Sequence, residues 1–252
     1  MKSNLVKILV GLAVVALLAV VAFFLSLNSI VKHGVVTFGP EVIKAPIQLD
    51  GVSLSAASGS GELRGLVVGN PEGFKTPHAV KLGTASLQVK PASLLGDKLV
   101  VQSIKADGAE ITFEGSLGSS NLGKIQENVD AYVASLLGPA SKDKKSAGKK
   151  LQVDELIISN AKINLSMTIL GGKSATLPLP EIKLSNLGQG PDGITPAEVI
   201  KVVMKEVMSK AATAIIGALG SLDKGVTGAA KGTVDAAKGV TKGIGDMFKK
   251  KE

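Results

Sequence analysis

Few side chains in this sequence could carry out catalysis near neutral pH. The 252 residues contain no cysteine and two histidines, His33 and His78. The absence of cysteine excludes thiolate metal sites and disulfide scaffolds. His78 follows Lys75-Thr-Pro and has no carboxylate pair nearby, so we interpret it as an exposed loop residue rather than a general base.

The remaining candidate groups do not form a recognisable reactive constellation. The segment Ser58-Gly-Ser60-Gly lacks the strand-to-helix turn of a nucleophile elbow. Asp107 and Glu110 flank an Asp-Gly turn, whereas a hydrolytic carboxylate pair needs an environment that separates the two pKa values. Metal ligands would have to be clustered, and they are not. We predict no catalytic residue, cofactor or metal; a hydrolase dependent on His78 or Ser60 is the rival hypothesis.

Charge and composition also argue against nucleic-acid binding. The net charge of +8 comes almost wholly from lysine, because Arg64 is the single arginine, and only 3% of residues are aromatic. Base recognition favours arginine, and single-strand binding needs aromatic platforms. A membrane-attached binding or scaffold protein is therefore the favoured class.

An apolar segment near the N-terminus has the length of a membrane span. Ile8–Leu27 carries no charge, and at about 1.5 Å per residue its twenty residues would cross a hydrocarbon core. A cleaved signal peptide would have a shorter apolar run and a small-residue cleavage site. We predict an uncleaved anchor within residues 1–30. Lys2 and Lys7 weakly favour a cytoplasmic N-terminus, so the rest would be exported.

Period-two alternation of apolar residues, typical of half-buried strands, runs from Val35 to about Leu187. It is clearest in residues 161–169. Turn-forming pairs such as Asp107-Gly108 and Ser159-Asn160 separate the segments and predict antiparallel hairpins. The other expected strands are Ile47–Leu54, Leu63–Val68, Val80–Val89, Leu99–Ala106, Ala109–Phe113, Leu151–Ile158 and Leu177–Leu184.

Two of these segments repeat one another. Val101–Phe113 matches Val153–Leu165 at an offset of 52 residues, and the apolar and turn positions coincide. The match predicts a repeated strand–turn–strand unit. Two unrelated hairpins of similar composition are the alternative.

Helical spacing replaces the strand pattern in two places. Asn121–Leu137 carries apolar residues at helical intervals, with Ser119 or Ser120 as its cap. Thr195-Pro-Ala-Glu198 has the signature of a helix start and opens a stripe over residues 195–222. Between them, Ser141–Lys150 holds five lysines and is interpreted as a solvated linker, with a functional basic patch as the alternative.

The C-terminal segment, residues 223–252, contains three lysine-glycine heptads. Its glycines oppose a helix in water, so we expect disorder in solution and a helix only on a surface. The heptads resemble those of desiccation-protective and synuclein-type segments. Lys231, Lys238 and Lys242 would contact an anionic membrane; a tail without a role is equally compatible with the sequence.

Together these patterns predict an α+β fold. A curved, mostly antiparallel sheet with a short central helix and a C-terminal amphipathic helix would follow a transmembrane helix. One sheet face would either pack under helices or line a trough for acyl chains. The candidate groove residues on that face are Ile111, Phe113, Ile163, Leu165 and Met167.

Several motifs resemble those of AsmA-like proteins of bacterial envelopes. After the anchor come Phe38-Gly-Pro40, Ile47–Leu54, Gly61–Phe74 and Leu94–Ile104, followed by the segment closing at Phe113 and by Gly118-Ser-Ser-Asn-Leu. The resemblance covers about residues 5–187 and implies a β-rich domain over residues 31–190.

The resemblance implies anchoring in the inner membrane, a periplasmic main domain, and a role in outer-membrane biogenesis or phospholipid movement. The expected partners are membrane lipid and possible envelope proteins or a second copy. The family supplies no catalytic residue to carry over. Eight to eleven strands at about 4.8 Å each would span about 40–55 Å, too little to bridge two membranes. A tethered structural or interaction scaffold without lipid cargo is the alternative.

Overall fold

A computed structural model describes residues 26–116, 119–137, 149–167 and 174–225. Within them, eleven strands form one sheet, accompanied by three helices and a short 3-10 turn. The helices are α1 (residues 26–43), α2 (Asn121–Leu137) and α3 (Pro196–Gly225), and the 3-10 turn is Pro91–Leu95. The strands are β1 (Ile47–Gln48), β2 (Gly51–Leu54), β3 (Ser60–Val68), β4 (Val80–Val89), β5 (Lys98–Asp107), β6 (Glu110–Ser116), β7 (Ser119–Ser120), β8 (Lys150–Ser159), β9 (Lys162–Met167), β10 (Ser174–Pro178) and β11 (Ile182–Leu187).

The long strands lie side by side as six lines across the sheet, where a line is either one strand or two successive strands placed end to end. β5 and β6 do not pair with each other; both pair with β4, at Ala85↔Ala106 and at Val80↔Ile111. β8 and β9 likewise form one line, as do β11 and β10, and β1 with β2. The expected hairpins at Asp107-Gly108 and Ser159-Asn160 are therefore wrong. The sheet is mostly antiparallel, with parallel pairs between β5 and β8 and between β6 and β9.

Each line switches faces at one shared level of the sheet, and these positions form a crease. Consecutive inward apolar side chains are three apart here instead of two, and the two intervening residues face outward; β5, β8 and β11 contain a second such step, at Val101/Ile104, Val153/Leu156 and Leu184/Leu187. Gly65, Gly108 and Asn160 occupy these positions with φ of 62°, 68° and 52°. In these three lines the extra residue adopts a left-handed φ, which glycine and asparagine tolerate. The flanking pairs are Leu49/Val52, Leu63/Leu66, Leu82/Ala85, Ala106/Ala109, Ile158/Ala161 and Leu179/Ile182.

The crease divides the sheet into two wings. The β6 wing contains β1, β6, β9 and β10 with residues 66–68 of β3 and 80–82 of β4. The β5 wing contains β2, β5, β8 and β11 with residues 60–64 of β3 and 84–89 of β4. A dipeptide such as Asp107-Gly108 thus bends a strand line from one wing into the other and does not reverse the direction of the chain.

The predicted repeat is confirmed by the strand register. Leu99 pairs with Leu151, and Ile111 pairs with Ile163, so both parallel pairs follow the 52-residue offset found in the sequence. Gly108 donates its amide to the Ser159 carbonyl at 2.9 Å, which joins the two units at the crease. The repeated unit is a strand–bend–strand line rather than a hairpin.

The two predicted helix starts are also confirmed. α2 spans Asn121–Leu137, and the Ser120 hydroxyl accepts the Gly123 amide at 3.1 Å. α3 begins with a capping box: the Glu198 carboxylate accepts the Thr195 amide at 2.7 Å, and the Thr195 hydroxyl accepts the Glu198 amide at 3.2 Å.

α1 was not expected, because the alternation of residues from Val35 favours a strand. Residues 26–43 are helical instead. The β-branched run Val35-Val-Thr has strand propensity, which tertiary packing overrides here. Asn28 accepts the Leu54 amide at 2.8 Å, and Lys32 donates to the Asp50 carbonyl at 2.8 Å. α1 thus covers the β2 side of the sheet, where unpaired strand groups would otherwise be exposed.

No helix within the described residues is long and apolar enough to cross a bilayer. Of the predicted anchor Ile8–Leu27, only Ser26 and Leu27 belong to the described residues. The anchor stays a prediction.

Candidate functional site

The predicted groove residues lie on the β6 wing and are covered. Ile111, Phe113, Ile163 and Leu165 are between 0% and 7% exposed. They share one core cluster with apolar residues of α2 and α3, among them Leu122, Ile125, Val129, Val207 and Ala211. Of the two arrangements considered for this face, these four side chains adopt the packed one. Met167 ends β9 opposite Gly115 in the strand register.

The inner face of the β5 wing is covered less completely. Its apolar cluster has five buried members and ten that are only partly buried. The buried ones are Val89, Val101, Val153, Leu156 and Val199, and the partly buried ones include Leu87, Leu94, Leu99, Ile104, Leu151, Leu187 and Ile194. An apolar surface is therefore partly accessible here, on other residues than the predicted groove residues.

Three elements border this surface. α3 contributes Val199 and Val203 from its first turns, the 3-10 turn contributes Leu94, and Ile194 pairs with Leu151 beside β8. Gly61 lies between Leu54 and Leu87, and a Cβ there would come within 2.6 Å of Leu54 and 2.8 Å of Leu87. The glycine lets these two leucines approach each other across β3.

A buried polar network, which we call the latch, closes the β6 wing. Asn121 is fully buried; its carbonyl oxygen accepts the amides of Glu114 and Leu122, and its amide nitrogen donates to the Thr112 carbonyl and the Asn70 side chain. Asn70 in turn donates to the Thr76 carbonyl and hydroxyl at 2.7 and 2.8 Å. The latch fixes the loop between β3 and β4 against the start of α2.

The Glu114 carboxylate completes the latch as an acceptor. It receives the amides of Lys75 and Thr76 at 2.7 Å each and the Thr76 hydroxyl at 2.6 Å. Burial raises the pKa of Glu114, but these hydrogen bonds outweigh burial and hold the pKa below its ordinary value of 4.5. The latch accordingly needs Glu114 ionised. The hydrogen-bond donors of the latch all bond to acceptors within the protein, so the role of the latch is structural.

The residues considered for catalysis do not come together. His78 is half-buried at the end of the β3–β4 loop, whereas the Ser60 hydroxyl lies 2.7 Å from the Ser58 hydroxyl at the β2–β3 turn. The Asp107 carboxylate accepts hydrogen bonds from the Ser159 hydroxyl and from the Asn160 side-chain amide. Both bonds lower the pKa of Asp107, and the bond from Ser159 has the larger effect. No group of three potential metal ligands occurs among the described residues.

Electrostatic contacts attach α3 to its surroundings. Lys201 on α3 pairs with Asp130 on α2 at 2.9 Å. Burial raises the pKa of Glu198, but the Thr195 amide and hydroxyl outweigh it and keep the pKa below 4.5. The proposed membrane contacts Lys231, Lys238 and Lys242 lie outside the described residues, as does most of the 141–150 linker.

Comparison with known families fits this architecture. The AsmA family model matches residues 60–203, more than half of the chain. The chain belongs to the AsmA family. Membership indicates a role in assembly of the bacterial envelope and outer membrane. No curated protein matches the chain.

The AsmA match extends from β3 into the first turns of α3. It thus includes the latch, the crease positions from Gly65 onward and the repeated unit. Sequence reasoning missed the latch and the partly exposed β5 wing. Asn121 was visible as the first residue of a predicted helix and Asn70 as part of the Gly61–Phe74 motif, but nothing in their spacing indicates that they bond to each other.

Proposed function

We propose that this AsmA-family protein is anchored in the inner membrane, projects its sheet into the periplasm, and holds phospholipid acyl chains against the β5 wing. The observation that carries the proposal is the half-buried state of the apolar residues on that wing. Each methylene transferred from water to such a surface contributes about 0.8 kcal/mol. An acyl chain could therefore be retained without any specific polar ligand.

The contrast between the wings supports this location for cargo. The β6 wing has α2 and α3 packed against it, which buries the centre of its apolar face, whereas marginal residues such as Val68 and Val80 stay partly buried. On the β5 wing, α3 reaches the face through Val199 and Val203, while Leu87, Leu99 and Ile104 keep partial exposure. Lipid held there would not require the helices to separate from the sheet.

The membrane attachment rests on the sequence of Ile8–Leu27 and on family membership. We propose a single pass with the sheet in the periplasm, and no enzymatic activity. The cargo-free alternative is a tethered scaffold that binds other envelope proteins or a second copy. The well-packed β6 wing favours the scaffold, since most of the sheet's apolar face is already covered.

A photo-crosslinking experiment distinguishes the two functions. A benzophenone amino acid is introduced at Leu87 or Leu99 in the full-length protein, which is produced in bacterial membranes, irradiated and analysed by mass spectrometry. We expect phospholipid adducts at both positions, because both side chains border the partly exposed surface.

Ile157 is the matched control. It is half-buried, belongs to neither apolar cluster, and pairs with the exposed Lys105 and Lys183 on the opposite sheet face. Adducts at Ile157 equal to those at Leu87 would indicate general lipid contact. Protein adducts without lipid at Leu87 and Leu99 would establish the scaffold instead.

A further inference from the structure

The 3-10 turn presents the most exposed large apolar side chain among the described residues. Leu95 is 96% exposed, compared with 60% for Phe38 and 52% for Ile30 on α1. A single exposed leucine on a soluble surface needs no explanation. Its fixed position and its charged neighbours make this one different.

The turn is held in place by a buried serine. The Ser93 hydroxyl donates to the Lys90 carbonyl at 2.6 Å and accepts the Val100 amide at 3.0 Å. Leu94, next to Leu95, packs on the β5 wing and its carbonyl accepts Lys149 at 2.6 Å. Leu94 therefore faces inward and Leu95 outward from a rigid support.

Lysines surround this turn. Lys90 and Lys98 flank it in the sequence, and Lys98 pairs in register with Lys150, which follows Lys149. Like charges on adjacent strands destabilise a sheet. The acids near these lysines are Asp97, Asp192 on the loop whose Gly190 carbonyl accepts the Lys98 ammonium, and Glu198, whose charge interacts with Lys150. The surface around Leu95 thus carries a net positive charge.

The same end of the sheet receives the N-terminal segment. Asn28 near the start of the described α1 bonds to Leu54, Leu54 pairs with Gly61, and the Gly59 carbonyl accepts the Val89 amide. Lys90 then bonds to Val100, immediately before the 3-10 turn. From β2 to β5 is three strand spacings, about 14 Å. The described start of α1 and Leu95 therefore lie at the same end of the sheet.

We propose that the 3-10 turn is an interfacial membrane contact: Leu95 inserts at the headgroup level of an anionic phospholipid surface, and Lys90 and Lys149 bind its phosphates. An apolar residue bordered by lysines matches both the depth and the charge of such an interface. The contact orients the β5 wing toward the bilayer that holds the anchor. It is separate from the tail lysines and does not require lipid on the wing.

The absence of cysteine permits a direct test with the full chain. Leu95→Cys is labelled with an environment-sensitive dye and reconstituted into vesicles containing a lipid-borne quencher. The vesicles are phosphatidylcholine alone or equal parts phosphatidylcholine and phosphatidylglycerol. Glu72→Cys, exposed on the β3–β4 loop at the opposite end, is the matched labelling control. We expect a blue shift and quenching at position 95 in the anionic vesicles, and neither at position 72.

Charge reversal supplies the second readout. In the Leu95→Cys background, Lys90→Glu is expected to reduce the ratio of shielded to accessible dye by at least about fivefold, since losing one lysine near an anionic surface already has about that effect and the new carboxylate is repelled. Lys81→Glu, exposed at the far end of β4, should leave it unchanged. Equal dye accessibility at positions 95 and 72 would overturn the proposal, as would shielding independent of lipid charge or already present in detergent. Adduct formation at Leu87 reports separately on lipid holding.

Discussion

The two wings of the sheet are built from the same strand lines but differ in what covers them. On the β6 wing, α2 and α3 bury the apolar face, and the Asn121–Glu114 latch fixes the connecting loop. On the β5 wing, most members of the apolar cluster stay partly exposed. The β6 wing therefore stabilises the fold, while the β5 wing keeps apolar surface that is not fully buried on folding. Function is therefore better sought on the β5 wing.

The largest expected effect tests this division directly. Ile163→Ala on the β6 wing should lower the free energy of unfolding by about 3–4 kcal/mol, because it leaves a cavity in a fully buried site. Leu99→Ala on the β5 wing should cost about half as much or less, since part of the side chain is already in water. Urea unfolding of the detergent-solubilised full chain, followed by circular dichroism, measures both. Equal losses would remove the distinction between the wings.

Removing the centre of the latch should have the next largest effect. Asn121→Ala leaves the Glu114 amide, the Thr112 carbonyl and Asn70 without their partners, at a cost of about 2–4 kcal/mol. Thr176→Ala, which loses an exposed bond to Asn164, is the control and should cost far less. The same unfolding assay applies. A comparable loss for the two variants would mean that the latch does not stabilise the β6 wing.

Two glycines on the crease sharpen the boundary between the wings. In Gly65→Ala the new Cβ would overlap the Asp50 carboxylate and also occupy a left-handed φ, whereas at Gly108 only the φ is unfavourable. We expect about 1 kcal/mol for Gly108→Ala and distinctly more for Gly65→Ala. Melting temperatures of the two variants, compared with wild type, decide the order. The reverse order would show that the space beside Gly65 is not limiting.

The smallest expected effect is a pH dependence. Because the folded pKa of Glu114 lies below its ordinary value, the carboxylate stabilises the fold above pH 4.5, and this contribution is lost as the pH falls through the folded pKa. Glu114→Gln should be less stable than wild type at pH 7 by about 1 kcal/mol, with a smaller difference in acid. Unfolding curves at both pH values measure this difference. A gap that stays constant with pH would assign the effect to packing instead of charge.

Much of the secondary structure was predictable because it depends on local signals. The 3.6-residue spacing and the Ser120 cap define α2, and Thr195 with Glu198 define the start of α3. The alternation within Val80–Val89 predicted β4 with its observed bounds. The 52-residue repeat even contained the register of the parallel strands.

Features that depend on distant contacts were not predictable. Asp107-Gly108 supplies a left-handed φ that suits a hairpin or a bend equally, and pairing with β4 and β8 decides for the bend. Ile111 and Ile163 were correctly assigned to an apolar face, but only the positions of α2 and α3 determine that this face is covered. On the β5 wing only the first turns of α3 reach the apolar cluster, through Val199 and Val203, which leaves Leu87 and Leu99 partly exposed.

The agreement between repeat offset and strand register has a consequence for how such a sheet could grow. One further copy of the strand–bend–strand unit, inserted after β9, would lie parallel beside its predecessor and widen the sheet by about 4.8 Å. The crease would continue through the added copy, since each unit carries its own glycine or asparagine at the crease position. Tandem duplication alone could thus lengthen a short protein of this kind into an extended one.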